Sequence, residues 1–135
     1  METSRVIIFT DGAARGNPGP AAIGAVIKDD KGNILASISQ CIGTTTNNQA
    51  EYRALIAALE KAASLGARQV SLYSDSELMV NQINGRYKVK NVTLRGMYQD
   101  VVRLAGALER FEITCIPRER NTAADALANK ALDSA

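Results

Sequence analysis

The sequence predicts an α/β fold, a mixed sheet flanked by helices, and three observations carry that prediction. Three strand-like segments open the chain, the apolar spacing then switches to a helical period, and strands alternate with helices from there to the end.

Arg5 to Asp11 reads as a buried strand. The turn cluster Gly16-Asn17-Pro18-Gly19-Pro20 follows it, and Ala21 to Asp29 reads as a second strand. Asp30-Lys31-Gly32-Asn33 is a hairpin turn into a third strand, Ile34 to Ile42, with alternating side chains. These three form an antiparallel meander. From Asn48 to Leu65 the spacing is helical: Leu55, Ala58, Leu59 and Ala62 make one apolar face, and Gly66 ends the helix. Gln69 to Ser74 is a fourth strand, Ser76 to Ile83 a short helix stopped by Asn84-Gly85, and Thr93 to Leu108 a further helix. Phe111 to Ile116 is a fifth strand ended by Pro117, and Thr122 to Leu132 closes the chain as a helix with Leu127, Ala128, Ala131 and Leu132 inward. Helical crossovers make the fourth and fifth strands parallel to the first, which brings the ends of strands one and four together.

At 135 residues the chain has the length of one domain, expected to run 1–135. Its hydrophobic residues, 46% of the total, fall in short runs, none near the roughly 20 apolar residues a membrane helix needs, so no membrane partner is expected. The run Val6 to Phe9 is too short for a signal-peptide core, and a cytoplasmic location is expected. Cys41 and Cys115 lack metal-ligand spacing and are expected as free, buried thiols on opposite edges of the sheet. The net charge of +2 leaves any basic patch local. There is no histidine, which excludes histidine triads, imidazole proton shuttles and His-liganded zinc. Acid–base and metal chemistry must rest on carboxylates.

Four carboxylates are candidates, and each has a structural alternative. Asp11 and Asp75 end strands, where acids serve turns and helix caps. Glu51 stands three residues after Asn48 and Asp125 three after Thr122, spacings that suit helix starts. Direction favours a shared site. Glu51 lies on the helix face of Leu55, Ala58 and Ala62 that packs on the sheet, and Asp125 borders the inward stripe through Ala128 and Leu132. Asp11 and Asp75 belong at the carboxyl edge of neighbouring parallel strands, where open α/β sheets hold ligands. Four acids in one spot require positive charge among them, because each like-charge pair disfavours ionisation. All-oxygen ligation selects Mg²⁺ or Mn²⁺, and two such ions suit phosphodiester hydrolysis.

In combination the motifs resemble the type 1 ribonucleases H from Val6 to Leu132. Thr10-Asp11-Gly12 with Gly16-Asn17-Pro18-Gly19 is similar to the family's first strand and turn, and Thr46-Asn47-Asn48-Gln49-Ala50-Glu51 to its first helix start. Ser74-Asp75-Ser76 resembles its fourth strand end, and Asn121-Thr122-Ala123-Ala124-Asp125 its last helix. The resemblance implies a ribonuclease H-like fold with a five-stranded mixed sheet, the first three strands antiparallel and the fourth and fifth parallel to the first. It implies two Mg²⁺ ions (Mn²⁺ substituting) held by Asp11, Glu51, Asp75 and Asp125. It also implies endonucleolytic cleavage of the RNA strand of an RNA–DNA hybrid, leaving 3′-hydroxyl and 5′-phosphate ends.

The resemblance further implies that Asn17, Asn47, Asn48 and Gln49 read 2′-hydroxyls in the minor groove, and that Thr46 and Asn91 grip a DNA phosphate. Turn and cap roles are the alternative for the four amides. Arg86-Tyr87-Lys88-Val89-Lys90 sits where longer members carry a basic protrusion, and is either a substrate contact or a solvated loop. Where many members place a histidine before the last acid, this chain has Arg118-Glu119-Arg120; Arg118 is the first choice to take the departing phosphate, against simple solvation. A monomer is expected, with RNA–DNA hybrid as partner and double-stranded RNA left open. Rival readings are another nuclease of the same fold, a non-catalytic hybrid-binding module, or a purely structural acidic cluster.

Overall fold

The computed structural model describes residues 4–135, so the first three residues of the expected 1–135 domain lie outside the described residues. Strands β1 (Arg5–Ala14), β2 (Gly19–Asp29) and β3 (Ile34–Thr45) form the expected meander, followed by helix α1 (Asn47–Ser64) and strand β4 (Gln69–Ser74). Helices α2 (Glu77–Ile83) and α3 (Val92–Gly106) lead to β5 (Arg110–Cys115), and a 3-10 turn (Arg118–Arg120) opens α4 (Thr122–Asp133). The sheet order is β3-β2-β1-β4-β5, with β4 parallel to both β1 and β5. This is the five-stranded mixed sheet expected of a ribonuclease H-like fold.

Pleat alternation assigns the two faces of the sheet. Val6 and Ile8 of β1 and Val70 and Leu72 of β4 are buried beneath α1, which contributes Leu55, Ala58, Leu59 and Ala62 to the same core. Tyr52 is fully buried there, and its hydroxyl donates to Gln82 Oε1 at 2.6 Å. On the opposite face α4 buries Ala124, Ala128 and Leu132 over β2 and its neighbours.

Two glycines set how closely the helices approach. A Cβ on Gly12 would lie 2.2 Å from the Ala50 carbonyl carbon, so only glycine lets α1 start against β1. A Cβ on Gly24 would lie 2.1 Å from the Ala124 carbonyl oxygen, and glycine there seats α4 directly on β2.

Three local expectations are corrected. Strand β1 does not end at Asp11: its parallel pairing with β4 stops at Thr10↔Ser74, but antiparallel pairing with β2 continues to Ala14↔Ala21. Helix α1 is capped by Thr46, whose hydroxyl accepts the Gln49 N–H at 3.2 Å, and Glu51 takes no part in a capping box. Cys41 and Cys115 are free thiols as expected, on opposite edge strands, but both are exposed because edge strands here leave much of their surface in solvent.

Candidate active site at the carboxyl edge of the sheet

The register puts Asp11 and Asp75 one residue beyond the last parallel pair of β1 and β4, side by side at the carboxyl edge. Glu51 enters from the first turn and a half of α1, and its Oε1 accepts the Gly12 N–H at 2.8 Å, a bond the bare Cα of Gly12 permits. Asp11, Glu51 and Asp75 each offer a carboxylate oxygen, and these atoms lie within 4.8 Å of one another. Asp125, from the first turn of α4, lines the same cavity and stands close enough to raise the proton affinity of Asp11, so the fourth acid adjoins the group. The structure therefore brings all four predicted acids together, in a cavity of about 770 Å³ that Arg118 and Asn47 also line.

Crowding shows in the proton affinities. Asp11, only 5% exposed, has its pKa pushed up from 3.8 to about 8, first by burial and then by the Asp75 charge and the Asp125 carboxyl, with Arg118 opposing. Glu51 is raised well above the ordinary carboxyl range, chiefly by burial and then by the Asp11 charge; the Gly12 N–H and Arg118 pull the other way. Carboxyls so disposed hold a proton at neutral pH or share a cation, and an all-oxygen donor set of this spacing suits a hard divalent ion.

Asn121 was not among the site residues expected from sequence, yet it ties two of the acids together. It is fully buried, its Nδ2 donates to the Thr10 carbonyl at 2.8 Å, and its own carbonyl accepts the Asp125 N–H at 3.2 Å. Its sequence signals are a residue type common at helix starts and its place at the head of the Asn121-to-Asp125 motif, and its side chain makes no cap bond. Asn129 and Glu77 also line the cavity, polar helix positions that spacing alone does not separate from solvated ones.

The predicted substrate contacts divide into two groups. Asn17 and Asn47 meet beside the acids: Asn17 Oδ1 accepts the Asn47 N–H at 3.1 Å, and Asn47 Oδ1 accepts the Ala14 N–H at 2.9 Å. Both use their carbonyl oxygens within the protein, and both residues are exposed. Thr46 caps α1, Asn48 is exposed on its first turn, and Gln49 contacts the Thr45 hydroxyl. Asn91 lies apart, capping α3 by accepting the Leu94 N–H at 3.0 Å. Arg86 to Lys90 is largely exposed, and its Tyr87, Lys88 and Val89 line a separate cavity with Tyr98 and Gln99.

A 3-2-1-4-5 mixed sheet carrying carboxylates where the parallel pairing of β1 and β4 stops defines a ribonuclease H-like domain. A family described as "Reverse transcriptase-like" matches residues 9–131. The bifunctional protein Rv2228c of Mycobacterium tuberculosis is 48% identical over 132 residues, 97% of this chain and 36% of that protein. Ribonuclease HI of Halobacterium salinarum is 47% identical over 131 residues, covering 97% of this chain and 66% of that protein. The crystal structure of RNase H1 from that archaeon superimposes with a TM-score of 0.95, covering 98% of this chain and all of that one at 46% identity. LC11-RNase H1 in complex with an RNA/DNA hybrid superimposes at 0.91 with 47% identity, covering 96% and 97% of the two chains. The chain belongs to the reverse transcriptase-like family, with type 1 ribonucleases H among its relatives. It spans about a third of the length of the mycobacterial protein.

Proposed function

We propose that the protein is an endoribonuclease that hydrolyses the RNA strand of RNA–DNA hybrids, with two Mg²⁺ ions at the acidic site when substrate is bound, leaving 3′-hydroxyl and 5′-phosphate ends. The observation that carries this reading is the group of Asp11, Glu51 and Asp75 with ligand oxygens within 4.8 Å, joined by Asp125, in a chain 47% identical to a relative whose structure holds an RNA/DNA hybrid.

The residues fit the metal. The donors are all carboxylates, and two of them carry raised proton affinities that a divalent cation would reverse by supplying the missing positive charge. When bound, Mg²⁺ supplies activation of water and stabilisation of the leaving oxygen, chemistry that Mn²⁺ also supports. Asp11, Glu51, Asp75 and Asp125 hold the ions. The Gly12 N–H fixes one oxygen of Glu51 and leaves the other to face the cluster. Asn121 keeps the start of α4, and so Asp125, against β1.

Asn17, Asn47, Asn48 and Gln49 present amide donors and acceptors suited to 2′-hydroxyls, and Thr46 and Asn91 offer small polar groups to DNA phosphate. Arg118 lines the cavity from an exposed position and binds the departing 5′-phosphate, a role suited to a planar guanidinium.

Incubation with end-labelled RNA–DNA hybrid, duplex RNA, duplex DNA and single-stranded RNA, each with Mg²⁺ and with EDTA, tests the proposal. Internal, Mg²⁺-dependent cutting of the hybrid's RNA strand is expected. Cleavage of duplex DNA, or none of any substrate, would refute it.

A further inference from the structure

The sheet face opposite α1 is covered by α4 over β2 and its neighbours, but β4 and β5 are bare there: Arg110, Glu112 and Thr114 are exposed, and Gln69, Ser71 and Tyr73 half-buried. Phe9 and Tyr73 stand as cross-strand neighbours on this face, rings stacked at 5.3 Å between centroids and 24° between planes. Lys28 Nζ sits 5.6 Å from the centre of the Phe9 ring, so the aromatic pair is flanked by a cation.

The charge of this face is one-sided. Arg110 is neutralised by Glu112 at 2.5 Å, while Lys28 and Arg120 have no acidic partner among the described residues, and Arg5 donates only to the Ser71 hydroxyl. Two shallow cavities flank the aromatic pair. One, of about 200 Å³, lies between Phe9, Val26 and Lys28 on the strands and Arg120 to Ala123 at the start of α4. The other, of about 120 Å³, is lined by Arg5, Ser71, Arg110 and Glu112.

The face is joined to the acidic site by the 3-10 turn. Arg118 lines the acidic cavity, whereas Arg120, two residues on, lines the cavity beside Phe9. Asp11 and Asp75 stand one residue past the last parallel pair of β1 and β4, and Phe9 and Tyr73 two residues before them.

We propose that this open face, with Tyr73 and Phe9 as stacking platform and Arg5, Lys28 and Arg120 as phosphate contacts, binds single-stranded nucleic acid running off the acidic edge. Aromatic rings on a sheet with flanking cations recognise unpaired bases without regard to sequence, because every base has a π-face and every nucleotide a phosphate. A protein surface would instead call for a larger apolar area and fewer uncompensated cations.

The test is fluorescence anisotropy with a labelled oligo-dT of about 12 nucleotides, in EDTA so that no hydrolysis enters, across a salt series. The wild type is expected to bind with a slope of log K against log salt near −2, from roughly 0.7 per neutralised phosphate. Lys28→Gln and Arg120→Gln should each flatten that slope by about 0.7. Tyr73→Leu, which keeps apolar bulk in a half-buried position, should weaken binding at least about 5-fold by loss of stacking. Cleavage of a blunt hybrid by Lys28→Gln should equal that of the wild type. Oligo-dT binding unchanged in the Arg5→Gln/Lys28→Gln/Arg120→Gln triple variant would overturn the proposal by placing the contacts elsewhere. Absence of binding by the wild type at low salt would overturn it too, leaving the face to a protein partner. Because binding is read without metal, either result is separate from failure of the nuclease reading.

Discussion

Replacing Asp11 with Asn should make the metal-free protein more stable, and by an amount that depends on pH. Asp11 has a folded pKa of about 8 against an ordinary 3.8. Between those values the folded state keeps a proton that the unfolded chain has released, so stability falls as pH rises through the window. The cost is absent below about pH 4 and complete above pH 8. A gap of four pKa units at about 1.36 kcal/mol each puts its ceiling near 5 kcal/mol. Asn is close to isosteric and uncharged at every pH, and it also removes the Asp11 charge that raises Glu51. Urea denaturation in EDTA at pH 5 and pH 8 measures the effect. The variant should exceed the wild type by several kcal/mol at pH 8 and by much less at pH 5. A variant no more stable than wild type at pH 8, with equal m-values, would refute the picture of carboxyls crowded in a buried site.

Asp75→Asn should reduce hybrid cleavage in Mg²⁺ by orders of magnitude while its thermal melt in EDTA stays unchanged or rises, since one charge that crowds Asp11 and Glu51 is gone. Gly12→Ala should destabilise the protein by about 1–3 kcal/mol or more, because its Cβ meets α1 backbone that cannot move aside, and a chemical melt reads this directly. Arg118→Ala should lower turnover about 10-fold or more with little change in hybrid affinity; unaltered single-turnover and steady-state rates would remove Arg118 from product release. Both thiols should react with a thiol reagent in the native state without reductant, as Cys41 and Cys115 are exposed and unpaired.

Much of the fold was legible because its signals are local. The change from period two to a helical period between Ile42 and Asn48, and the Asn84-Gly85 and Pro117 breaks, are read from neighbouring residues, and the crossover rule then fixes which strands run parallel. The acidic site followed because strand ends and helix faces point to one sheet edge. What escaped depends on contacts across the fold. Gly12 and Gly24 look like ordinary strand glycines until α1 and α4 are laid on them. Asp11 looked like a strand end because it closes an apolar run and precedes Gly12, and only pairing with β2 carries β1 on to Ala14. Cys41 and Cys115 looked like core residues because a free thiol usually packs as a small hydrophobe, and although their strands were expected at the edges, only the fold shows how much of those strands stays in solvent. Asn121 spends its side chain on the Thr10 carbonyl, 111 positions away in the chain, a partner no local motif announces.

The central claim, that the four carboxylates make one metal-dependent site for RNA hydrolysis, is tested most directly by the cleavage rate of a labelled RNA–DNA hybrid over a Mg²⁺ titration, for the wild type beside Asp11→Asn. The wild type should cut the RNA strand internally, leave 5′-phosphate ends and fall silent in EDTA, and the variant should stay inactive at every Mg²⁺ concentration. Cleavage that persists in EDTA, or wild-type rates from Asp11→Asn, would contradict it.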